Sequence, residues 1–154
     1  MKLVWLDMLE LDLKLAELAS YQDYAYLDQI KTFDDAVNEC ASKFEECDGM
    51  VVASPVYYAS ANATLIAFLD RLFYSSSSAL RHKPAAVITV ARRGGTTAAY
   101  DQLIKYPAYA EMPIISSNYW NMVHGAVAAD VPEDKEGMQT MRILGKNMAY
   151  FIKC

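Results

Sequence analysis

Residues 54–74, SPVYYASANATLIAFLDRLFY, pass from a loop of small and aromatic residues into a run with helical periodicity. The four residues before this stretch, MVVA at 50–53, are continuously apolar, which is typical of a short buried strand. One face of the helical run carries an apolar stripe made of Leu65, Ile66, Leu69, Leu72 and Phe73. The stretch therefore predicts a strand, a loop and a helix in succession, with the loop at the carboxyl end of the strand.

The same order recurs further along the chain. AAVITVA (85–91) is the clearest strand in the sequence, and RRGGTT (92–97) follows it. Gly94 and Gly95 permit a turn, and the threonines after them are expected to cap the next helix. Strands of this length alternating with helices indicate an α/β fold, in which helices cover both faces of a parallel sheet. Ligands bind at the carboxyl ends of such strands, so both loops are expected at one edge.

The first third of the chain is less regular. Residues 2–9 (KLVWLDML) are predicted to form a strand, and residues 10–32 a connection that contains some helix. Asp34 or Asp35 is the predicted N-cap of a helix whose apolar positions recur at helical spacing and which ends near Cys47.

The second half of the chain supplies three further elements. The four serines at 75–78 are predicted to form a surface connection, and Pro113–Ser116 (PIIS) a short strand. A terminal helix is expected to begin near Pro132, where acidic residues cluster. Its apolar positions are Met138, Met141, Leu144, Met148 and Ile152.

The composition indicates one globular domain over residues 1–154. Hydrophobic residues make up 54% of the chain and charged residues 21%, so a core can be buried without disulfides. A net charge of -5 without any cluster of Lys or Arg argues against nucleic acid or an anionic membrane as the partner. The uncharged window between Asp48 and Asp70 is interrupted by polar residues, so no membrane-spanning helix is predicted.

Cysteines and histidines give no sign of a disulfide framework or a metal site. Cys40, Cys47 and Cys154 form no CxxC pair, and an odd number fits free thiols in a reducing compartment. No secretory signal opens the chain, so a cytoplasmic location is expected. His82 and His124 lie far apart without a ligand-spaced partner, and no metal ligand set is predicted.

The two loops combine groups that suit a flat aromatic ligand. Pro55 fixes the path of the first loop, and Tyr57 and Tyr58 offer rings for stacking. In the second loop, Arg92 and Arg93 suit anionic or carbonyl groups. Each loop also has a simpler interpretation, either tyrosines that cover a strand end or a solvated basic turn. Their expected position on adjacent strand ends favours a binding site.

Three segments in chain order carry a family resemblance, namely SPVYYASANATLIAFLDR (54–71), VARRGGTTAAYDQLIKY (90–106) and EMPIISSNYWNMVHG (111–125). Together they resemble the NADPH-dependent FMN reductase-like branch of the flavodoxin-like fold, which includes flavoproteins with and without an added iron–sulfur cluster. The resemblance covers roughly residues 35–154 and implies a three-layer α/β/α domain with a doubly wound sheet in the order 2-1-3-4-5. It also implies FMN at the strand ends and a homodimer or higher oligomer with sites at subunit contacts.

The resemblance assigns both loops and one later segment to the cofactor site. The residues implied as cofactor-binding are Ser54, Pro55, Val56, Tyr57, Tyr58, Arg92, Arg93, Gly94, Gly95, Asn118 and Tyr119. The first loop would lie against the isoalloxazine ring, and the second would also contact the flavin. Asn118 to Trp120 match a region near the site or the subunit contact.

The chain departs from the family pattern at its start. Family members open with a strand, a Gly-Ser-Pro-Arg type loop and a helix that hold the FMN phosphate, and nothing similar occurs here. Residues 2–9 align best with the family's second strand, which would leave the central place in the sheet vacant. Either residues 2–9 fill that place, or a partner chain supplies a strand, or the sequence is a fragment whose gene starts upstream. Without the phosphate loop, weak FMN binding is expected.

The resemblance implies an FMN-dependent oxidoreductase that accepts a hydride from NADPH or NADH and passes electrons to a small-molecule acceptor such as a quinone or free flavin. The alternative is a non-catalytic remnant that acts as an oligomerising module without tight FMN binding. Residues 13–27 contain none of the cysteines by which some relatives hold an iron–sulfur cluster. The uncharged run 112–129, with Tyr119, Trp120 and Met122, is rich in interface-type side chains and predicts a dimer.

Overall fold

A computed structural model describes residues 3–6 and 36–154. The elements in chain order are β1 (Leu3–Leu6), α1 (Ala36–Glu46), β2 (Gly49–Tyr57), β3 (Ser60–Ala61), α2 (Ala63–Ser76), a 3-10 turn (Ser77–Leu80), β4 (Ala85–Ala91), α3 (Thr96–Tyr109), β5 (Met122–His124), a second 3-10 segment (Ala128–Glu133) and α4 (Lys135–Lys153). The predicted strand 85–91 and the helices predicted to end near Cys47, after the first loop and near the end of the chain are confirmed. The predictions for residues 10–32 and for an N-cap at Asp34 or Asp35 lie outside the described residues.

The sheet is parallel, with its strands in the spatial order β1, β2, β4, β5. This arrangement confirms the predicted α/β class with a mainly parallel sheet. β1 pairs with β2 from Leu3 opposite Gly49 to Leu6 opposite Val52. In a sheet of the order 2-1-3-4-5, the place beside the third strand belongs to the first strand. Within the described structure, β1 therefore occupies the position of the family's first strand, which the sequence analysis left vacant.

Helices cover both faces of the sheet and give it three layers. On one face, α1, α2 and α3 pack on the sheet around a core that includes Val37, Phe44, Met50, Val52, Phe68, Leu69 and Val87. On the other face, Leu144 and Met148 of α4 form a smaller cluster with Val51, Ala86 and Ile115. Successive strand residues point to opposite faces, so Val51 turns towards α4 while Met50 and Val52 turn towards the larger core. Each fully buried side chain of this size contributes about 1.5–3 kcal/mol to stability.

Two predicted boundaries are wrong at the ends of elements. β2 does not stop at residue 53, because its backbone continues to pair as far as Pro55 opposite Val90 of β4. The serines at 75–78, predicted as a surface connection, are helical: the first two complete α2 and the others begin the 3-10 turn. Helical hydrogen bonding outweighs the low helix propensity of serine here because α2 is already held by its buried apolar face.

Candidate functional site

The first loop closes as a β-hairpin on the end of β2. β3 pairs antiparallel with β2, with Tyr57 opposite Ser60, and the two residues between them, Tyr58 and Ala59, form the turn. Both turn residues have positive φ angles, 51° and 59°, in the region where this kind of turn favours glycine, asparagine or aspartate. The turn leaves the Tyr58 side chain fully exposed and the Tyr57 side chain more than half exposed at the carboxyl edge of the sheet.

Side chains of neighbouring elements hold this hairpin in place. Gln102 of α3 accepts hydrogen bonds through Oε1 from Ser60 Oγ at 2.8 Å and from the Ala61 N–H at 3.0 Å. Ser54 is only 1% exposed, and its Oγ accepts a hydrogen bond from the Asn62 N–H at 2.9 Å. The Ser54 hydroxyl therefore stabilises the loop from inside and offers no open face to a ligand.

Replacing Ala59 by glycine is expected to stabilise the protein by about 0.5–1 kcal/mol, because an alanine in the left-handed region costs about 1–2 kcal/mol and glycine does not pay that cost. The same change at Ala98, an exposed position in the first turn of α3, is expected to cost about 0.5–1 kcal/mol. Urea unfolding of both variants measures the two effects. Equal losses of stability in the two variants would show that the turn carries no strain.

The second loop joins β4 to α3 through a glycine in the left-handed region. Gly95, with φ 97°, is the N-cap of α3, and no side chain caps the first turn from that position. The prediction that threonines cap this helix is wrong, because the cap position falls one residue earlier. Thr96 is instead buried, and its Oγ1 lies 3.3 Å from the sulfur of Met122 at the start of β5.

The two loops are in contact at the carboxyl edge of adjacent strands. A Cβ added to Gly95 would lie 2.9 Å from Ala59 Cα and 3.2 Å from Val56 Cγ1, so the hairpin rests directly on the backbone of the second loop. The expected adjacency of SPVYYAS and ARRGGTT is therefore confirmed. The predicted site residues that this contact brings together are Pro55, Val56, Tyr57, Tyr58, Arg92, Arg93, Gly94 and Gly95.

The exposed part of the second loop faces open space. Arg92, Arg93 and Gly94 are all exposed, and a Cβ added to Gly94 would meet no atom within 4 Å. The surface between these residues and the Tyr58 ring thus combines cationic side chains, an aromatic ring and a stretch of backbone that a ligand can approach closely. Such a surface suits a planar ligand with polar or anionic groups at its rim.

Asn118 and Tyr119 lie on the outer edge of the sheet, beyond β4. Ile114 pairs with Ala85 of β4, and Met122 pairs with Thr89 of β4. The outer chain therefore advances eight residues while β4 advances four, and the extra residues bulge out from the edge of the sheet. Tyr119 is 54% exposed and stacks edge-on against Trp120, with ring centroids 4.9 Å apart. β4 separates this bulge from the SPVYYAS hairpin.

The predicted strand Pro113–Ser116 is accordingly wrong. Only Ile114 makes a bridge to β4, and the edge strand forms later, at Met122–His124. Asn121 explains why the strand pairing breaks between Ile114 and Met122. It is completely buried, and its side chain makes its hydrogen bonds to other residues of the bulge. Its Oδ1 lies 2.8 Å from Ser117 Oγ, and its Nδ2 donates to the Ile115 carbonyl at 3.4 Å.

A third loop, between β5 and α4, reaches the same edge, and the sequence analysis missed it. His124 pairs with Ala91, the residue before the RRGGTT loop, and the Gly125 N–H donates to the Ala91 carbonyl at 3.1 Å. Asp130 Oδ2 accepts hydrogen bonds from the backbone N–H groups of Ala126, at 2.9 Å, and Val127, at 3.2 Å. The sequence shows an Asp near the start of a helix, which is a capping signal. It does not show that this loop lies at the carboxyl edge of the sheet, because that position follows only from the pairing of β5 with β4.

Asp134 links the third loop to α4. Its Oδ1 accepts from the Gly137 N–H at 2.9 Å, and its Oδ2 accepts from the His124 N–H at 2.7 Å. These two backbone donors, Gly137 first, lower the pKa of the Asp134 carboxyl below its usual value, since they bond to its charged form. The carboxylate is therefore an ionised, fixed group next to His124, whose Nδ1 lies 3.8 Å from Oδ2.

No group of three or more His, Cys, Asp or Glu side chains in residues 3–6 and 36–154 could hold a metal ion. Among the same residues, no helix is long and apolar enough to cross a membrane.

A parallel sheet in this order, with contacting loops at the carboxyl ends of its central strands, defines a flavodoxin-like protein. Residues 4–127 match the family model described as NADPH-dependent FMN reductase, and the chain belongs to that family. The recognition of this family and fold from the sequence is thus confirmed.

The chain is also similar to curated flavoproteins of two archaea. It is 29% identical over 127 residues to an iron-sulfur flavoprotein of Methanocaldococcus jannaschii, a match that covers 77% of this chain and 66% of the relative. It is 29% identical over 119 residues to the iron-sulfur flavoprotein of Methanosarcina thermophila, covering 75% of this chain and 61% of that one. The chain thus spans less than two thirds of the length of each of these relatives.

Solved structures support the fold. An oxidoreductase from Corynebacterium diphtheriae superimposes with a TM-score of 0.58 at 23% identity, covering 91% of this chain and 74% of that one. A flavodoxin, WrbA-like protein from Agrobacterium tumefaciens gives a TM-score of 0.60 at 14% identity, covering 85% and 92%. At these identities the likeness concerns the architecture alone.

Proposed function

We propose that this protein is an FMN-dependent oxidoreductase that takes electrons from NADPH or NADH and passes them to a quinone, a free flavin or a similar small-molecule acceptor. The observation that carries the proposal is the contact between the Tyr58-Ala59 hairpin and the Gly94-Gly95 loop, at the carboxyl edge of adjacent parallel strands. Membership of the NADPH-dependent FMN reductase family supports the choice of cofactor. The free cysteines fit a reducing compartment, and the cytoplasm is the proposed location.

The residues at this edge fit a flavin ring. Gly94 leaves space for the ring to approach the backbone, since a Cβ there would meet nothing within 4 Å. The rings of Tyr57 and Tyr58 can stack on it, and Arg92 and Arg93 can bond its carbonyl oxygens or an anionic group of the nicotinamide substrate. When bound, the flavin supplies the hydride chemistry, so the protein needs only to bind, orient and shield the reactants.

Flavin titration tests the proposal. Riboflavin and FMN are added to the purified chain while flavin absorbance and fluorescence are followed, and we expect FMN to bind with a Kd weaker than about 1 μM. Tyr58→Ala is expected to weaken binding by about tenfold through loss of stacking. Tyr109→Ala is the matched control, because that exposed tyrosine ends α3 at the opposite edge of the sheet.

The outcomes separate the two functions that the sequence left open. Saturable flavin binding that Tyr58→Ala weakens and Tyr109→Ala does not, together with bleaching of the bound flavin by NADPH or NADH without oxygen, supports the oxidoreductase. Absence of binding at millimolar flavin would favour the non-catalytic oligomerising module instead.

Self-association is the second part of the proposal. An outer-edge patch consists of Ile114, Tyr119, Trp120, Tyr150 and Phe151, all exposed. The Asn147 side chain donates to the Ser116 carbonyl at 2.7 Å and so places the last turns of α4 beside the bulge. Tyr150 and Phe151 follow Asn147 at helical spacing, on the same side of α4. A continuous aromatic surface of this kind suits a homodimer interface.

Trp120→Ala is expected to weaken the homodimer by about thirtyfold, or about 2 kcal/mol, because a central tryptophan is a typical interface hot spot. Light scattering during gel filtration at a series of concentrations measures the change. Tyr109→Ala, which removes an equally exposed ring outside the patch, should leave the dimer unchanged. A monomer at tens of micromolar before any substitution would contradict the interface.

A further inference from the structure

The loop between β5 and α4 contributes a histidine to the edge at which the flavin is proposed to bind. His124 is the last residue of β5 and pairs with Ala91, and the next residue of the β4 chain is Arg92 of the proposed site. The Gly125 N–H bond to the Ala91 carbonyl fixes this register. The His124 backbone therefore lies beside the start of the ARRGGTT loop, in a segment that the family resemblance did not assign to the cofactor.

The His124 side chain is accessible and lies near a fixed carboxylate. Its side chain is 47% exposed, whereas that of Asp134 is 18% exposed. The carboxylate is fixed by the backbone donors of Gly137 and His124, and its Oδ2 lies 3.8 Å from the imidazole Nδ1. Within residues 3–6 and 36–154, no hydrogen bond engages Nε2.

Helix capping alone does not account for this pair. The cap of α4 needs the Asp134 carboxylate and the Gly137 N–H, and the imidazole adds no bond to it. The other charged groups of the segments around His124 are Arg92, Arg93, Asp130, Glu133, Lys135 and Glu136, and the Asp130 carboxylate accepts hydrogen bonds from two backbone N–H groups. His124 thus places an imidazole, a side chain that proteins commonly use to move protons, beside the edge of the proposed site.

We propose that His124, next to Asp134, is a residue of the acceptor site beside the flavin and gives the reduced acceptor its second proton. This inference rests on the proposed function. Two-electron reduction of a quinone needs a hydride, which NADPH or NADH supplies by way of the flavin, and one more proton. The Nε2–H bond of His124 breaks, its electron pair stays on the imidazole, and an O–H bond forms on the acceptor. The imidazole then takes up a proton from water.

Proton NMR of the imidazole rings tests the placement of His124 without any turnover. The chain has only two histidines, so two sets of ring signals are expected. His82 is the internal control, because it precedes β4 at the amino edge of the sheet. Its backbone N–H donates to the Glu111 carbonyl. Saturating riboflavin should shift the His124 ring signals and leave those of His82 in place, and His124→Gln assigns the signals.

The NMR outcomes are distinguishable. Riboflavin binding seen by absorbance without a shift at His124 would overturn this inference and leave the proposed function standing. Absence of any riboflavin binding would overturn the proposed function and the inference together.

The proton-transfer step is tested by comparing two acceptors. Ferricyanide takes electrons without a proton, so the ratio of the quinone rate to the ferricyanide rate reports the proton donor. His124→Ala and His124→Gln should each lower this ratio by at least about tenfold, with the flavin Kd changed by less than about twofold. His82→Gln should leave the ratio unchanged. Recovery of the ratio in His124→Gln, which keeps a hydrogen-bond donor but cannot pass a proton, would overturn the assignment.

Discussion

Gly95→Ala is expected to lower the free energy of unfolding by about 2–4 kcal/mol, the combined cost of a left-handed alanine and of overpacking. The φ angle of 97° is strained for any residue with a Cβ. The added carbon would also lie 2.9 Å from Ala59 Cα, a backbone atom that cannot move without displacing the hairpin. Urea unfolding of the chain without added flavin measures the loss.

Gly94→Ala is the matched control for this substitution. A Cβ at position 94 would meet no atom within 4 Å, and its φ lies outside the left-handed region, so stability should change by less than about 0.5 kcal/mol. The same methyl group would project into the space proposed for the flavin ring and should weaken riboflavin binding severalfold. Equal stability losses at the two positions would mean that the hairpin does not rest on the second loop.

The regular elements could be predicted because their signals are local. Residues 85–91, six of them apolar, form a strand in which five are buried, and the stripe from Leu65 to Phe73 faces one core. Both patterns follow from side-chain periodicity, which depends only on neighbours in sequence. The adjacency of the two loops followed from the same patterns, because parallel strands present their carboxyl ends at one edge.

The missed features depend on partners distant in sequence. Residues 113–116 have the composition of a strand, yet the buried Asn121 side chain bonds to Ile115 and moves the edge strand to Met122–His124. The role of His124 could not be predicted, since only the pairing of β5 with β4 brings it beside Arg92. The sequence predicts that Thr96 caps α3. In the structure Gly95 takes the cap position, and the Thr96 side chain contacts Met122 instead.

Gly137→Ala is expected to destabilise the protein by about 2 kcal/mol, although alanine has the higher helix propensity. A Cβ at this position would overlap Asp134 Oδ2 and lie 2.9 Å from its Cγ and 3.1 Å from Val123 Cα. The carboxylate would have to leave the α4 cap and the His124 N–H together. Gly145→Ala on the same helix, where a Cβ meets no atom within 4 Å, should instead stabilise by about 0.5–1 kcal/mol.

The pH dependence identifies the Asp134 carboxylate as the cause. Because the folded-state pKa of Asp134 is lowered, its contribution is fully present above the unfolded value of 3.8 and is lost as the pH falls through the folded value. The stability difference between the unaltered chain and Gly137→Ala should therefore be largest near neutral pH and shrink as the carboxyl is protonated in acid. The gain from Gly145→Ala involves no titrating group and should not change over the same range. If the stability loss of Gly137→Ala is equally large above and below this transition, the loss comes from crowding against Val123. The hydrogen bonds by which Asp134 links α4 to His124 would then contribute little to stability.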